Sequence, residues 1–327
     1  MHSDVKILKT AAAMAALFAT GSALAQTYPS RPIRFVTPYA QGGNADILTR
    51  IIGDGLSKNL GQTVLTDNRP GGSSTIGTSI AAKATPDGHT LLLISSSHTV
   101  NPSLFGNDLP YNTLKDFTPI TQVGATPIML VAFPGMGAGT LKELITLAKS
   151  KPGQLNFSSS GNGSPAHLAG ELLNGLAGLK ITHIPYKGTP QSINDTMSGQ
   201  VQMAYPSVSS VLPMIKAGKL RALGITSLKR SALIPDVPTM AETLPGYQAS
   251  IWTGVLAPAG TSRPIITRLN SEIIKVLGTP EVKAKLASMG VDIDTSTPEE
   301  FGAFIETEMK KWARVIKEGN IRVEMER

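Results

Sequence analysis

The sequence predicts an α/β protein with parallel sheets, on a chain long enough for two lobes. Short β-like runs alternate with helix-like segments along most of its length, which is the pattern of βαβ units. Without the N-terminal segment discussed next, 302 of the 327 residues remain, where a typical domain takes about 100–150. There is no cysteine. Disulfides, thiol nucleophiles and zinc–thiolate sites are therefore excluded, and core packing must hold the fold.

In chain order, Lys6 and Lys9 precede an apolar stretch ending Ala23-Leu24-Ala25. A basic start, a short apolar run and an A-x-A ending mark residues 1–25 as a cleaved secretory signal. The run falls short of the about 20 residues a bilayer span needs. Without a cysteine at the cleavage site, no lipoprotein anchor is expected. Strands are expected at 33–37, 63–66, 89–95, 128–133, 155–158, 181–184, 201–205 and 221–226. Helices between them are expected at 45–60, 73–83, 141–149, 166–176, 191–198 and 208–216. Thr140 and Glu143 read as a capping box, and Ser164-Pro165 and Thr189-Pro190 as caps before a first-turn proline. The last third reads as helices at 265–277, 281–289 and 298–318, with a short strand at 291–294.

The net charge is +7, and +6 once Lys6, Lys9 and Asp4 leave with the signal. Its Lys and Arg residues are spread out and usually have an acid nearby, as in KELITLAKSK and EMKKWARVIKE. No nucleic-acid surface is predicted, because no basic run with interleaved aromatics occurs. A mildly positive field favours small anions.

Catalytic signatures are missing: no H-E-x-x-H, G-x-S-x-G or G-x-x-x-x-G-K-[ST] occurs. PGMGAG (134–139) imitates a dinucleotide loop, but Thr140 stands where the third glycine belongs, so it reads as a flexible connection. No cofactor and no metal is expected. The stronger feature is PYAQGGNAD (38–46), where a strand, a glycine pair and a helix start present N–H groups to an anion. Asp46 would repel an anion there. It is read first as a group satisfying the helix start, and alternatively as a partner for a ligand ammonium. SSSGNGSPAH (158–167) repeats the device in the other half of the chain. NRPGGSSTIG and SSSHTVNP add polar turns, the latter after the apolar strand TLLLI, and such clusters at strand C-termini are where open α/β sheets bind ligands. Trp252 reads as core, and Tyr39 as an aromatic contact at the mouth of the first loop.

These residues resemble the Bug-type periplasmic solute receptors, the substrate-binding components of tripartite tricarboxylate transporters. The likeness runs from YPSRPIRFVTPYAQGGNAD through NRPGGSSTIGTSIAAKATPDGHTLLL, YNTLKDFTPI and TLKELITLAKSKPGQLNFSSSGNGSPAHLAGELL. It continues through HIPYKGTPQSINDTMSGQVQM and GKLRALGITSLKRSALIPDVPTMAE to GVLAPAGTSRPIITRLNSEI. It implies a type II periplasmic-binding fold, with lobe 1 at 26–124 plus 225–327, lobe 2 at 125–224 and a ligand cleft between them. It implies ligand contacts from Tyr39, Gly42, Gly43, Asn44, Ala45 and Asp46 in the first loop. Ser159, Gly161, Gly163, Ser164 and His167 are implied in the second, and Tyr186, Lys187, Pro206 and Ser207 around the distal end. Asn44-Ala45 stand where that family often has Pro-Thr or Pro-Ser.

The resemblance therefore implies a non-catalytic, monomeric periplasmic receptor. It would deliver a small organic acid (a mono- or dicarboxylate, an aromatic acid or an acidic amino acid) to inner-membrane permease subunits. A ligand-dependent sensor for a membrane signalling protein fits the same residues. A secreted enzyme acting on small acids would need a nucleophile–base pair, which the sequence does not display.

Overall fold

The computed structural model describes residues 28–323; the expected signal segment lies outside them. The strands are β1 (Ile33–Thr37), β2 (Val64–Asn68), β3 (Thr90–Ser95), β4 (Phe117–Pro127), β5 (Met129–Ala132) and β6 (Asn156–Ser159). They continue as β7 (Thr182–Pro185), β8 (Met203–Ala204), β9 (Arg221–Ile225), β10 (Ser250–Pro258) and β11 (Asp292–Ile293). The helices are α1 (Asn44–Leu60), α2 (Thr75–Ala82), α3 (Ser97–Phe105), α4 (Leu141–Ser150), α5 (Pro165–Ala177) and α6 (Thr189–Met197). After them come α7 (Val208–Lys216), α8 (Met240–Thr243), α9 (Arg263–Gly278), α10 (Pro280–Ser288) and α11 (Pro298–Glu318).

Two sheets form, in the orders β11-β4-β10-β3-β1-β2 and β7-β6-β8-β5-β9. Both are mixed rather than parallel. β1 pairs in parallel with β2 and β3, whereas β10 runs antiparallel to β3 and β4. In the second sheet β6 is parallel to β7 and β8, while β5 is antiparallel to β8 and β9. In the second sheet the difference comes from the antiparallel run of β5, and in the first from β4 and β10, which the sequence expectation left out. Pro119, Gly124 and Pro127 in one and Gly254 in the other interrupt their apolar patterns, and two register shifts bend the pair. A Cβ at Gly254 would lie 2.1 Å from the Phe301 ring, so glycine lets that ring lie on the strand.

Alternation explains why the first sheet is covered on both faces. Leu91 and Leu93 of β3 join Ile33, Phe35, Leu48, Ile52 and Leu56 on one side. Leu92 and Ile94 join Trp252, Phe301 and Ile305 on the other. Likewise Leu130 and Ala132 of β5 face one core of the second sheet, and Met129 and Val131 the other. Leu48, Ile52, Leu56 and Leu60 make the apolar stripe of α1, and Gly61 ends that helix in the left-handed region at φ 68°.

α11 belongs to both halves. Phe301 and Ile305, near its start, sit in the core against the first sheet, whereas Trp312, Val315 and Ile316 sit in the core of the second.

Three local expectations change. Thr140 caps α4, but the Glu143 carboxylate accepts from Gly139 N–H instead of closing the box. Gly188, not Thr189, caps α6, which makes Thr189 its first helical residue. SSSHTVNP is not a loop: α3 begins at Ser97 and carries Pro102 inside it, which is what hid the helix.

Candidate functional site

The first loop is fixed from behind. Gly42 turns the chain at φ +83°, and its N–H donates to Asp46 Oδ2 at 2.9 Å. Asp46 is buried. It also accepts from Arg50 Nε at 3.1 Å and from Asn68 Nδ2 at 2.9 Å, and Asn68 Nδ2 reaches the Tyr39 carbonyl at 3.1 Å as well. Burial alone would raise this carboxyl's pKa, but Arg50, the Gly42 N–H and Asn68 outweigh it and hold it below the usual range. Both oxygens therefore serve the loop. Asp46→Asn is expected to cost about 1–3 kcal/mol at pH 7. The folded pKa lies below the unfolded value of about 3.9, so the difference from wild type should persist above that pH and close as pH falls further. Urea unfolding at pH 7 and pH 3 measures it, and an unchanged midpoint at pH 7 would remove the pinning role.

Gly43 caps α1 with extended backbone (φ −78°, ψ 167°) and, among the described residues, no side chain bonds the first-turn N–H groups. That helix start borders a cavity of about 590 Å³ between the two sheets. Three further helix starts reach the same cavity: α5 through Pro165 and Ala166, α6 through Thr189, and α7 through Ser207. Each contributes roughly half a positive charge at its N-terminus. Among the described residues no Asp, Glu, Lys, Arg or His is on the wall.

The second loop spends several of its own N–H groups. Gly161 N–H donates to Ser159 Oγ at 3.1 Å, Ser164 N–H to the Gly161 carbonyl at 3.3 Å, and Gly163 N–H to His167 Nδ1 at 3.1 Å. Ser164 Oγ caps α5 by accepting from His167 N–H. His167 stacks on His183 with ring centroids 3.6 Å apart. Burial, then His183, pushes His167 down to about 3, and burial pushes His183 down to about 4. His167 Nε2 and Glu171 Oε1 are 3.9 Å apart, but a histidine neutral at pH 7 makes no ion pair. His98, fully enclosed, is likewise pushed to about 4. The unfolded chain takes up these protons below about pH 6.5 while the folded one refuses them, so stability should fall as pH drops from 6.5 towards 4. Urea midpoints at pH 7 and 5 should differ, and His183→Gln should flatten the slope; equal midpoints would refute it.

Of the residues expected to meet ligand, Tyr39, Gly43, Asn44, Ala45, Pro206 and Ser207 border the main cavity. Gly161, Gly163 and Ser164 border a second one that adjoins it. Gly42, Asp46, Ser159 and His167 are on neither cavity wall. The Tyr186 hydroxyl donates to Asp195 Oδ2 at 2.8 Å, and Lys187 is exposed; neither is on a cavity wall. The Tyr39 hydroxyl meets Ser95 Oγ at 2.6 Å and Ser97 Oγ at 3.1 Å. Sequence reading missed Thr126, Ile128, Ile251 and Thr253, which line the cavity from β4, β10 and the step into β5; the only signal was the alternation in SIWTGVLAP. It also missed a serine–histidine contact, Ser159 Oγ to His183 Nε2 at 2.6 Å. Ser159 is buried, outside the cavity walls, and its hydroxyl also donates to the Gly161 carbonyl. Among the described residues no group of three or more His, Asp or Glu gathers to hold a metal.

The family described as "Tripartite tricarboxylate transporter family receptor" matches residues 48–321. The chain belongs to that receptor family. Its relatives include BugT of Bordetella pertussis, 40% identical over 297 residues that cover 90% of this chain and 91% of BugT. The periplasmic binding protein BugD is 31% identical, with a TM-score of 0.69 over 91% of this chain and 100% of that one. An R. palustris protein solved with adipate is also 31% identical, with a TM-score of 0.72 over 90% of this chain and 99% of that one. The present chain is a two-sheet α/β protein, and its two glycine loops lie at the cavities between the sheets.

Proposed function

We propose that this chain is a periplasmic receptor that captures a small carboxylate in the cavity between its sheets and hands it to inner-membrane permease subunits. The observation that carries this reading is the convergence of four helix N-termini on a cavity whose wall, among the described residues, holds no charged side chain. Neutral N–H donors grip an anion without a counter-charge, which suits a site that must also release its ligand. Tyr39, Gly43, Asn44, Ala45 and Ser207 supply one set of contacts, and Ser160 and Ala166 face them from the second loop. The adipate bound by the R. palustris relative points to the same ligand class. Residues 1–25 direct export, and two lobes, meeting near residues 124 and 225, close on the acid. Among the described residues the walls hold hydroxyls but no base to activate one, which supports a ligand that leaves unchanged.

Native mass spectrometry of co-purifying material, then calorimetry against mono- and dicarboxylates, aromatic acids and amino acids, tests the reading. At least one acid should bind with a micromolar dissociation constant, near −8 kcal/mol, and compact the molecule in solution scattering. Binding by none of them, or turnover of any, would overturn it.

A further inference from the structure

The second cavity, of about 380 Å³, opens off the first and shares Tyr39, Ser95, Ile128, Ser160, Pro165 and Ile251 with it. Among the described residues its walls also carry no charged side chain, and they divide by chemistry. One side is apolar: Val100 and Leu104 of α3, Leu168 of α5 and Trp312 of α11. The other is a run of hydroxyls in mutual contact, Tyr39 to Ser95 and Ser97, and Ser97 to Ser74 at 3.1 Å. Each of these can turn to donate or accept. Ser73 and Ser74 hold φ of 53° and 74°. Two consecutive non-glycine residues in the left-handed region are costly and persist only where their surroundings fix them. Here Asn101, buried on α3, donates to the Ser73 carbonyl at 2.9 Å. The wall is a built one.

We infer that this annex receives the uncharged body of an elongated ligand whose carboxylate lies in the main cavity. The preferred substrates are then monocarboxylic acids with an aliphatic or aromatic extension, able to carry a hydroxyl, rather than compact acids. The inference rests on the carboxylate reading above. Tyr39 borders both chambers, so its ring flanks the chain where head and body join. A second carboxylate would have to leave water beside Val100, Leu104, Leu168 and Trp312 with no cation among the described wall residues to meet it.

The test is calorimetry with a series of unbranched monocarboxylates from acetate to octanoate, and with the matching α,ω-dicarboxylates. Once the chain is long enough to enter the annex, each added methylene should tighten binding about fourfold. Filling the annex through Leu104→Trp should cancel that gain while short acids bind as in wild type. Val323→Trp, at its rim, repeats the filling should the substitution in α3 disturb folding. Affinity independent of chain length, or long acids bound unchanged by both filled variants, would overturn the inference. Tighter binding of the dicarboxylates than of equally long monocarboxylates would overturn it too, assigning the annex to a second anion. Failure of every acid, short and long, would instead defeat the carboxylate reading and this inference with it.

Discussion

Gly43→Leu should fold as the wild type does and lose at least a hundredfold in affinity for its acid. The two halves of that result have separate causes. Gly43 has negative φ and extended ψ, which any residue adopts, and the nearest atom to an added Cβ is the Ala40 carbonyl oxygen at 3.5 Å. The backbone therefore accepts the change. The side chain, however, projects from a residue on the cavity wall and covers the first-turn N–H groups of α1. Losing two hydrogen bonds to a charged group, at about 1.5–3 kcal/mol each, is enough for a hundredfold or more. Calorimetry reads the affinity and urea unfolding the stability, while Gly43→Ala should fall between. Wild-type affinity in the leucine variant would take this helix start out of the site.

Glu308→Ala should destabilise the protein by about 3–5 kcal/mol. Glu308 is buried on α11. Its Oε2 accepts from Trp252 Nε1 at 3.3 Å and Trp312 Nε1 at 2.9 Å, and its Oε1 takes the Lys311 ammonium. Lys311 reaches the Gln248 carbonyl at 3.0 Å as well, and burial lowers its pKa against the opposing pull of Glu308. Removing the carboxylate strands two indole N–H groups and a half-buried cation together. Glu308→Gln keeps an acceptor and should cost less. Adding Lys311→Met to Glu308→Ala should recover part of the loss, because the orphaned charge goes with it. A loss under about 1 kcal/mol in the alanine variant would mean that the charges are met by water instead.

The sequence disclosed the site's backbone and concealed its frame. Gly42-Gly43 and the SSSGNGSPAH loop stood out because glycines before a helix start have few other uses, and Gly43 and the second loop border the cavities between the sheets. Asp46 was read as satisfying the free N–H groups of the helix start, but its carboxylate instead accepts from Gly42, Arg50 and Asn68, and Asn68, 22 residues away, could not be seen from spacing. The crossing strands were lost to their prolines and glycines, and with them Thr126, Ile251 and Thr253. α3 was lost to Pro102. Tyr186 and Lys187 lie off the walls because the turn after β7 sends the tyrosine hydroxyl to Asp195, a contact that no local pattern announces.

The divided membership of α11 bears on how the protein comes apart. A helix with Phe301 and Ile305 in one core and Trp312, Val315 and Ile316 in another cannot leave either without opening both. Together with the paired strands β4 and β10 it ties the two sheets together, so they are expected to unfold as one cooperative unit with a single melting transition. Whatever freedom the cleft has to open is bending of an intact body, kept apart from the path by which the chain unfolds.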